Sequence, residues 1–174
     1  MSANDVAAVV NVVNLYAMAL DSHRYGLFTQ VFTEDVRCDF GGGVEFNGRE
    51  ALATAFQAIH AGFSATQHMV CGHVVTVDGD TAHCASYVHA RFKRALASGE
   101  GVFDSSGWYD DVLVRTPAGW RIKDRTSRMV TALGELEVMA AMPGVKPEFA
   151  LLSLAAEADA GRVKFFKAAG LAGR

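Results

Sequence analysis

The chain lacks the motifs that build disulfide frameworks, metal centres and nucleotide sites. Its 174 residues include three cysteines and no CxxC pair, and we interpret Cys38, Cys71 and Cys84 as reduced, buried thiols. The histidines of the predicted strands have no matching cysteine or acidic cluster at the spacing of metal ligands. A phosphate-binding loop, a dinucleotide-binding glycine motif and an HExxH zinc motif are also missing from the sequence. We therefore expect no metal and no cofactor.

Clusters of one charge and long apolar runs are also scarce. The net charge is -3 and Lys and Arg do not cluster, which argues against a nucleic-acid surface. No uninterrupted apolar run reaches the length of a membrane span, and the N-terminus lacks the basic and apolar regions of an export signal. With 51% hydrophobic and 20% charged residues, the composition is typical of a globular protein. We expect a cytoplasmic protein that binds neither nucleic acid nor membranes.

The first segment predicts an amphipathic helix that ends in an acidic residue. Its apolar positions recur at steps of three and four: Val6, Val9, Val10, Val13, Tyr16, Ala17 and Leu20. Ser2 and Asp5 form a capping-box pattern at the start of this helix. Asp21 follows Ala17 by four residues and so extends the apolar stripe. Its carboxylate is either turned to water at the helix end or paired inside the core.

A change of period then divides the chain into helices and strands. Helices are predicted at 23–32 and 49–61, with a short hairpin between them that turns at Gly41-Gly42-Gly43. From residue 65 the apolar period is two, and the long strands are predicted at 66–77, 81–94, 102–115 and 120–129. This order predicts an α+β fold in which the N-terminal helices pack on one face of a curved antiparallel or mixed sheet.

Alternation assigns the strand residues to two faces. His68 shares its face with Val70 and Val74, whereas the opposite face carries Met69, Cys71, Val75 and Val77. In the next strand, Tyr87, His89 and Arg91 share one face. If His68 points inward, the apolar outer face needs a cover in water, and we therefore expect a homodimer or homotrimer.

The residues after the last predicted strand form a separate segment. A short helix is predicted at 136–142, with a stop at Pro143-Gly144, and a longer one from Pro147-Glu148 to about residue 168. We divide the chain into a domain at 1–133 and a C-terminal helical extension at 134–174. The extension is interpreted as a lid over the open end of the sheet or as an oligomer contact.

Several motifs together resemble the SnoaL-like branch of the nuclear-transport-factor-2-like superfamily. They are Tyr16…Asp21, Phe32-Thr33-Glu34-Asp35-Val36, Asn47-Gly48-Arg49-Glu50-Ala51, Thr66-Gln67-His68 and Gly119-Trp120-Arg121-Ile122. The resemblance covers about residues 3–130 and implies a cone-shaped α+β barrel with an apolar pocket between sheet and helices. Asp21 and His68 resemble the Asp–His dyad of scytalone dehydratase and hexachlorocyclohexane dehydrochlorinase. Tyr16 is similar to a catalytic tyrosine in bile acid 7α-dehydratase, although it could equally be a core aromatic residue.

Departures from the family pattern narrow the range of expected substrates. Scytalone dehydratase has a tyrosine just before the aspartate and another in the first strand, where this chain has Leu20 and Phe40. Scytalone itself is therefore not the expected substrate.

Further residues are predicted to bind the substrate. His89 and Tyr87 share a strand face and either line the pocket or face solvent. Trp108 and the neighbouring Tyr109 point to opposite faces, and so do Arg125 and Arg128, so at most one arginine enters the pocket.

Two classes of function fit this pattern. The first is a cofactor-independent lyase or isomerase in which His68 removes a carbon-bound proton from a hydrophobic cyclic small molecule while Asp21 fixes its tautomer. The second is a non-catalytic binding or accessory subunit, similar to the small subunit of ring-hydroxylating dioxygenases. An enzyme requires the pair to face a cavity, whereas an accessory subunit requires no pair and has a filled cone.

Overall fold

The computed structural model describes residues 2–140 and 150–171 as N-terminal helices on a curved sheet. The helical elements are α1 (Ala3–Asp21), a 3₁₀ turn (Tyr25–Leu27), α2 (Phe28–Val31), α3 (Arg49–His60), α4 (Glu137–Ala140), α5 (Leu154–Asp159) and α6 (Lys164–Ala168). The strands are β1 (Phe32–Asp39), β2 (Glu45–Asn47), β3 (Ala65–Asp78), β4 (Thr81–Leu96), β5 (Gly99–Thr116) and β6 (Gly119–Gly134). The predicted α+β fold is confirmed.

The described strands form one sheet in the order β2-β1-β6-β5-β4-β3. Neighbours are antiparallel except for β1 and β6, which run parallel, so the sheet is mixed. Strand β1 begins at Phe32, which leaves only a 3₁₀ turn and one helical turn of the predicted second helix. The β-branched Val31 and Thr33 around this point favour extended backbone.

Helix α1 is the core helix of the molecule. The Ser2 hydroxyl accepts a hydrogen bond from the Asp5 amide at 3.1 Å, which confirms the predicted cap. By length and hydropathy alone α1 could cross a membrane, but it buries one face against the sheet. A core helix of a globular protein has the same composition. The buried side chains of α1 are Val9, Val12, Val13, Tyr16, Ala17, Ala19 and Leu20.

A bulge in β3 overturns the predicted alternation of that strand. The pairing register with β4 shifts between Cys71 and Val74, where Gly72 adopts a φ of 62° that favours glycine. One extra residue reverses the faces. Val75 and Val77 therefore pack against the core, whereas Val74 is exposed. The predicted outer face loses two of its four apolar residues, and the homodimer or homotrimer stays a prediction.

The C-terminal extension packs on both faces of the sheet. The prediction of one helix to residue 168 is wrong, because Gly161 adopts a left-handed conformation and the amide of Arg162 bonds to the carbonyl of Glu157. This arrangement ends α5 in a Schellman-type cap. Helix α6 covers the outer face, where Trp108 packs against Val163 and Phe165. The predicted helix end at 142, the Pro143-Gly144 stop and the start at Pro147-Glu148 lie outside the described residues.

Gly107 provides a test of the close approach between β5 and β6. A Cβ atom at this position would lie 1.9 Å from the carbonyl oxygen of Arg128 on β6, beside a register shift between Ser106 and Gly107. We expect Gly107→Ala to cost at least about 2 kcal/mol, because backbone atoms of two strands must separate. The matched control is Gly26→Ala, whose Cβ meets nothing within 4 Å. Urea denaturation of both variants measures the difference, and equal midpoints would contradict the predicted close approach.

Candidate active site

A cavity of about 790 Å³ lies between the helices and the inner face of the sheet. This volume suits a ligand of one to three rings. Its apolar part combines phenylalanines with aliphatic side chains, and the Gly41-Gly42-Gly43 turn forms one side. The apolar lining side chains include Phe40, Phe46, Phe56, Ile59, Val88, Ala90, Phe92, Met129 and Met139. Polar side chains also line the cavity, namely Tyr16, His60, His68, Ser105, Ser106, Tyr109, Ser127 and Arg128. The cavity is therefore a preformed site whose lining is largely apolar, with polar groups at several points.

Asp21 and His68 contact each other at the edge of this cavity. The Nδ1 atom of His68 lies 2.7 Å from Oδ1 of Asp21, and the backbone amide of His68 donates to Oδ2 at 2.7 Å. The Thr66 hydroxyl donates to Oδ1 at 2.8 Å. His68 lines the cavity and Asp21 lies behind it. The last residue of α1 is thus joined to the start of β3.

These contacts set the protonation of Asp21 and the tautomer of His68. Burial acts to raise the pKa of Asp21, but the hydrogen bonds from His68 and Thr66, with the charge of His68, outweigh it and lower the pKa. The ionised carboxylate only accepts hydrogen bonds, so Nδ1 of His68 carries the proton. Among the described residues no group hydrogen bonds to Nε2 of His68. In the neutral form of the ring, the basic nitrogen is therefore Nε2.

Two tyrosines line the same cavity in their neutral form. Tyr16 on α1 and Tyr109 on β5 are both buried, and their ring centroids lie 6.0 Å apart. Burial raises the pKa of Tyr16 well above its usual range and that of Tyr109 to about 12. Both phenols therefore remain hydrogen-bond donors at neutral pH.

A buried ion pair lies beneath the two tyrosines. Arg125 is fully buried and donates from Nε and Nη2 to both oxygens of Asp111, at 2.7 and 2.6 Å. Its guanidinium carbon lies 4.3 Å from the Tyr16 ring centroid and 4.2 Å from that of Tyr109. Arg125 is absent from the lining residues, so it is not the arginine that enters the cavity. It stacks against the residues that do line the cavity.

Arg128 lies at the cavity rim. Its Nη2 donates to Oδ2 of Asp39 at 2.6 Å, and its Nη1 donates to the Asp39 carbonyl at 3.2 Å. Arg128 lines the cavity beside the glycine turn, as expected for one of the two arginines.

The other predicted substrate-binding residues lie away from the cavity. In β4 the inward face carries Val88, Ala90 and Phe92, so Tyr87 and His89 belong to the outer face. Tyr87 is 55% exposed, and Nδ1 of His89 lies 2.8 Å from the Ser106 hydroxyl. Trp108 packs under α6 on the outer face. Tyr87, His89 and Trp108 therefore lie outside the cavity that they were predicted to line. The alternation of β4 favours Val88, Ala90 and Phe92 as its inward face, and the prediction instead selected polar side chains of the opposite face.

The structure adds His60, which the sequence analysis did not select. His60 ends α3, is 1% exposed and lines the cavity. Burial lowers the pKa of His60 to about 4, so its ring is neutral at physiological pH. Position alone gave no indication of this role, because a histidine in the last turn of a helix usually interacts with the helix end.

The chain belongs to the SnoaL-like domain family. The family matches residues 1–126. This agrees with the resemblance drawn from the motifs.

Relatives of the chain include curated and solved proteins. Rv2910c of Mycobacterium tuberculosis, an uncharacterised protein, is 34% identical over 110 residues, which cover 62% of this chain and 73% of that protein. The Kfla4162 protein of Kribbella flavida is 28% identical with a TM-score of 0.72, covering 75% of this chain and 93% of that one. A Novosphingobium aromaticivorans protein provisionally named scytalone dehydratase is 21% identical with a TM-score of 0.67, covering 75% and 87%. The last of these shows the shared fold alone.

The buried ion pair can be tested by removing its acid. Asp111→Ala leaves the Arg125 guanidinium buried without its carboxylate, and we expect a loss of about 3–5 kcal/mol in unfolding free energy. The matched control is Asp104→Ala, because Asp104 pairs with the half-exposed Arg91. Exposed pairs contribute no more than about 1 kcal/mol. Chemical denaturation distinguishes them, and equal losses would contradict the role of Arg125–Asp111 in the core.

The low pKa of His60 predicts a pH dependence of stability. Below about pH 6.5 the unfolded chain binds a proton at His60 that the folded protein binds only near pH 4. The free energy of unfolding should therefore fall with decreasing pH through this window, by up to about 1.4 kcal/mol per pH unit from this residue. The difference between wild type and His60→Phe, measured in urea from pH 7.5 to 4.5, isolates this contribution. Parallel curves would show that the pKa of His60 is the same in the folded and the unfolded protein.

Proposed function

We propose that this protein is a lyase or isomerase of the dehydratase type that acts on a hydrophobic cyclic small molecule without a cofactor. The observation that carries the proposal is the imidazole of His68, held by Asp21 at 2.7 Å with its other nitrogen free at an apolar cavity. Elimination and isomerisation both begin with removal of a carbon-bound proton, and a neutral imidazole is suited to that step at neutral pH.

In this proposal His68 is the base, and the tyrosines that line the cavity are the proton donors. His68 Nε2 takes the proton from carbon, and the imidazolium that forms is stabilised by the Asp21 carboxylate. In a dehydration, the electrons of the broken C–H bond form a double bond as the neighbouring C–O bond breaks. The departing hydroxide takes a proton and leaves as water. Tyr16 or Tyr109 donates that proton and becomes a phenolate. His68 then returns its proton through solvent to the phenolate, which restores both groups for the next turnover.

An isomerisation uses the same base differently. His68 returns the proton to another carbon, while a tyrosine hydroxyl hydrogen bonds to the oxygen of the enolate in between. In the resting site both phenols are neutral and stack on Arg125. They can therefore donate a hydrogen bond to the enolate oxygen and keep their protons. The same lining therefore supports both reactions.

The open cavity supports an enzyme over an accessory subunit. An accessory subunit needs no Asp–His pair, and its cone could be filled by side chains without loss of function. Here a space of about 790 Å³ remains beside His68, with aromatic walls that suit flat rings. The family and the neighbour named for a dehydratase share this fold, which both classes of function can use.

Substitution of the pair tests the mechanism. Purified protein is screened against cyclic β-hydroxy ketones, and loss of water is followed by absorbance and mass. We expect His68→Gln to lower kcat about 100-fold to 10,000-fold, the range of general-base catalysis. Asp21→Asn should cause similar harm, because an amide that donates to Nδ1 favours the wrong tautomer.

Matched controls separate catalysis from folding. His89→Gln removes a histidine of the outer face, and Asp35→Asn removes a surface carboxylate that pairs with Lys123. Both should retain wild-type kcat. Full activity of His68→Gln on a substrate that the wild type converts would overturn the proposed base.

A further inference from the structure

His60 lines the cavity and holds a buried polar atom that no described residue satisfies. Its Nδ1 lies 2.8 Å from the carbonyl oxygen of Phe56, one helical turn earlier. A carbonyl only accepts hydrogen bonds, so Nδ1 must carry the proton and Nε2 must present a lone pair. Nε2 is buried and has no hydrogen-bond partner among residues 2–140 and 150–171. The folded chain thus leaves this acceptor unused.

The surroundings of His60 are almost entirely aromatic. Its ring stacks on Phe56 at 5.5 Å between centroids and meets Phe63 edge-on at 5.7 Å. The Tyr25 ring lies 6.2 Å away, and its hydroxyl is also buried without a described partner, but it does not bond to His60. Tyr25 does not line the cavity. A buried acceptor without a partner is costly, which makes a donor from a ligand strongly favoured.

We infer that His60 is a second polar anchor of the cavity, and that its Nε2 accepts a hydrogen bond from a hydroxyl group on a ring-shaped ligand. This inference rests on the proposed function for the reacting end of the ligand, which lies at His68. The centroids of the two imidazoles are 6.3 Å apart and both residues line the cavity, so one ligand can contact both. Both rings present Nε2 as an acceptor. The ligand class is therefore a hydroxylated aromatic or alicyclic compound.

The aromatic walls define how such a ring would lie. Phe40, Phe46 and Phe56 contact one another, with centroids 5.3 to 6.0 Å apart, and they line the cavity beside His60. This cluster offers ring faces and edges for stacking but no hydrogen-bond partner. Selection for a hydroxyl group at this end of the cavity consequently falls to His60. A site built to pair with a hydroxyl discriminates strongly against an analogue that lacks the donor.

Binding of two matched probes tests the assignment without turnover. 2-Naphthol and 2-methoxynaphthalene share their ring system, but only the naphthol can donate a hydrogen bond. We expect the wild type to bind 2-naphthol about tenfold more tightly, as measured by calorimetry or by competition. His60→Phe should reduce this ratio to about one while retaining affinity for 2-methoxynaphthalene.

Two control variants locate the contact. His68→Gln and Tyr25→Phe should both retain the tenfold preference, because neither removes the His60 acceptor. If His68→Gln alone abolishes the preference, the hydroxyl is bound by His68 and the inference is wrong. Equal binding of both probes by the wild type, or binding of neither, also overturns it. Since no turnover is measured, these results leave the proton abstraction by His68 to be judged by the kinetics above.

A measurement on the wild type avoids dependence on the folding of His60→Phe. The ¹⁵N resonance of His60 Nε2 should shift on saturation with 2-naphthol and stay in place with 2-methoxynaphthalene. An unchanged resonance in the naphthol complex contradicts the inference directly.

Discussion

The carboxylate of Asp21 is the interaction on which the site depends. It accepts hydrogen bonds from Thr66 and from both the backbone and the ring of His68, at 2.7 to 2.8 Å. A half-buried carboxylate with fewer partners would be costly at a helix C-terminus, where the helix dipole disfavours negative charge. With these partners it joins α1 to β3 and orients the imidazole. The same contacts therefore hold the helix on the sheet and fix the orientation of the His68 ring.

On the opposite side of the cavity, the buried pair of Arg125 and Asp111 supports the two tyrosines that line it. A guanidinium between two aromatic rings is stabilised by their π faces, and its charge is balanced by Asp111. Tyr16 and Tyr109 are thereby fixed in position while their hydroxyl groups stay protonated. The cation lies behind the phenols and outside the lining of the cavity. Arg125 therefore acts on the cavity only through the position of the two tyrosines and through its charge.

The cavity as a whole separates neutral polar groups across an apolar space. His68 and His60 both present a nitrogen lone pair, because each donates its Nδ1 proton to a fixed acceptor. The tyrosines present donors on the other side. A ring-shaped ligand can meet acceptors and donors at once, and the aromatic walls exclude much of the water that would compete for them. Such an arrangement favours reactions in which a proton moves and no charged group must be bound.

The sequence by itself determined the α+β order, the cap of α1, the family and the pairing of Asp21 with His68. The element order and the cap follow from local periodicity and a capping motif, whereas the family and the pairing of Asp21 with His68 were expected from the resemblance of several motifs to that family. The alternation of β4 favoured Val88, Ala90 and Phe92 as its inward face, but only the tertiary structure placed the cavity on that face and so excluded Tyr87 and His89. The bulge at Gly72 reversed the second half of β3, and the cover that α6 provides buried Trp108 on the outer side. His60 entered the cavity through the packing of α3 and Phe63, a long-range arrangement that no local pattern encodes.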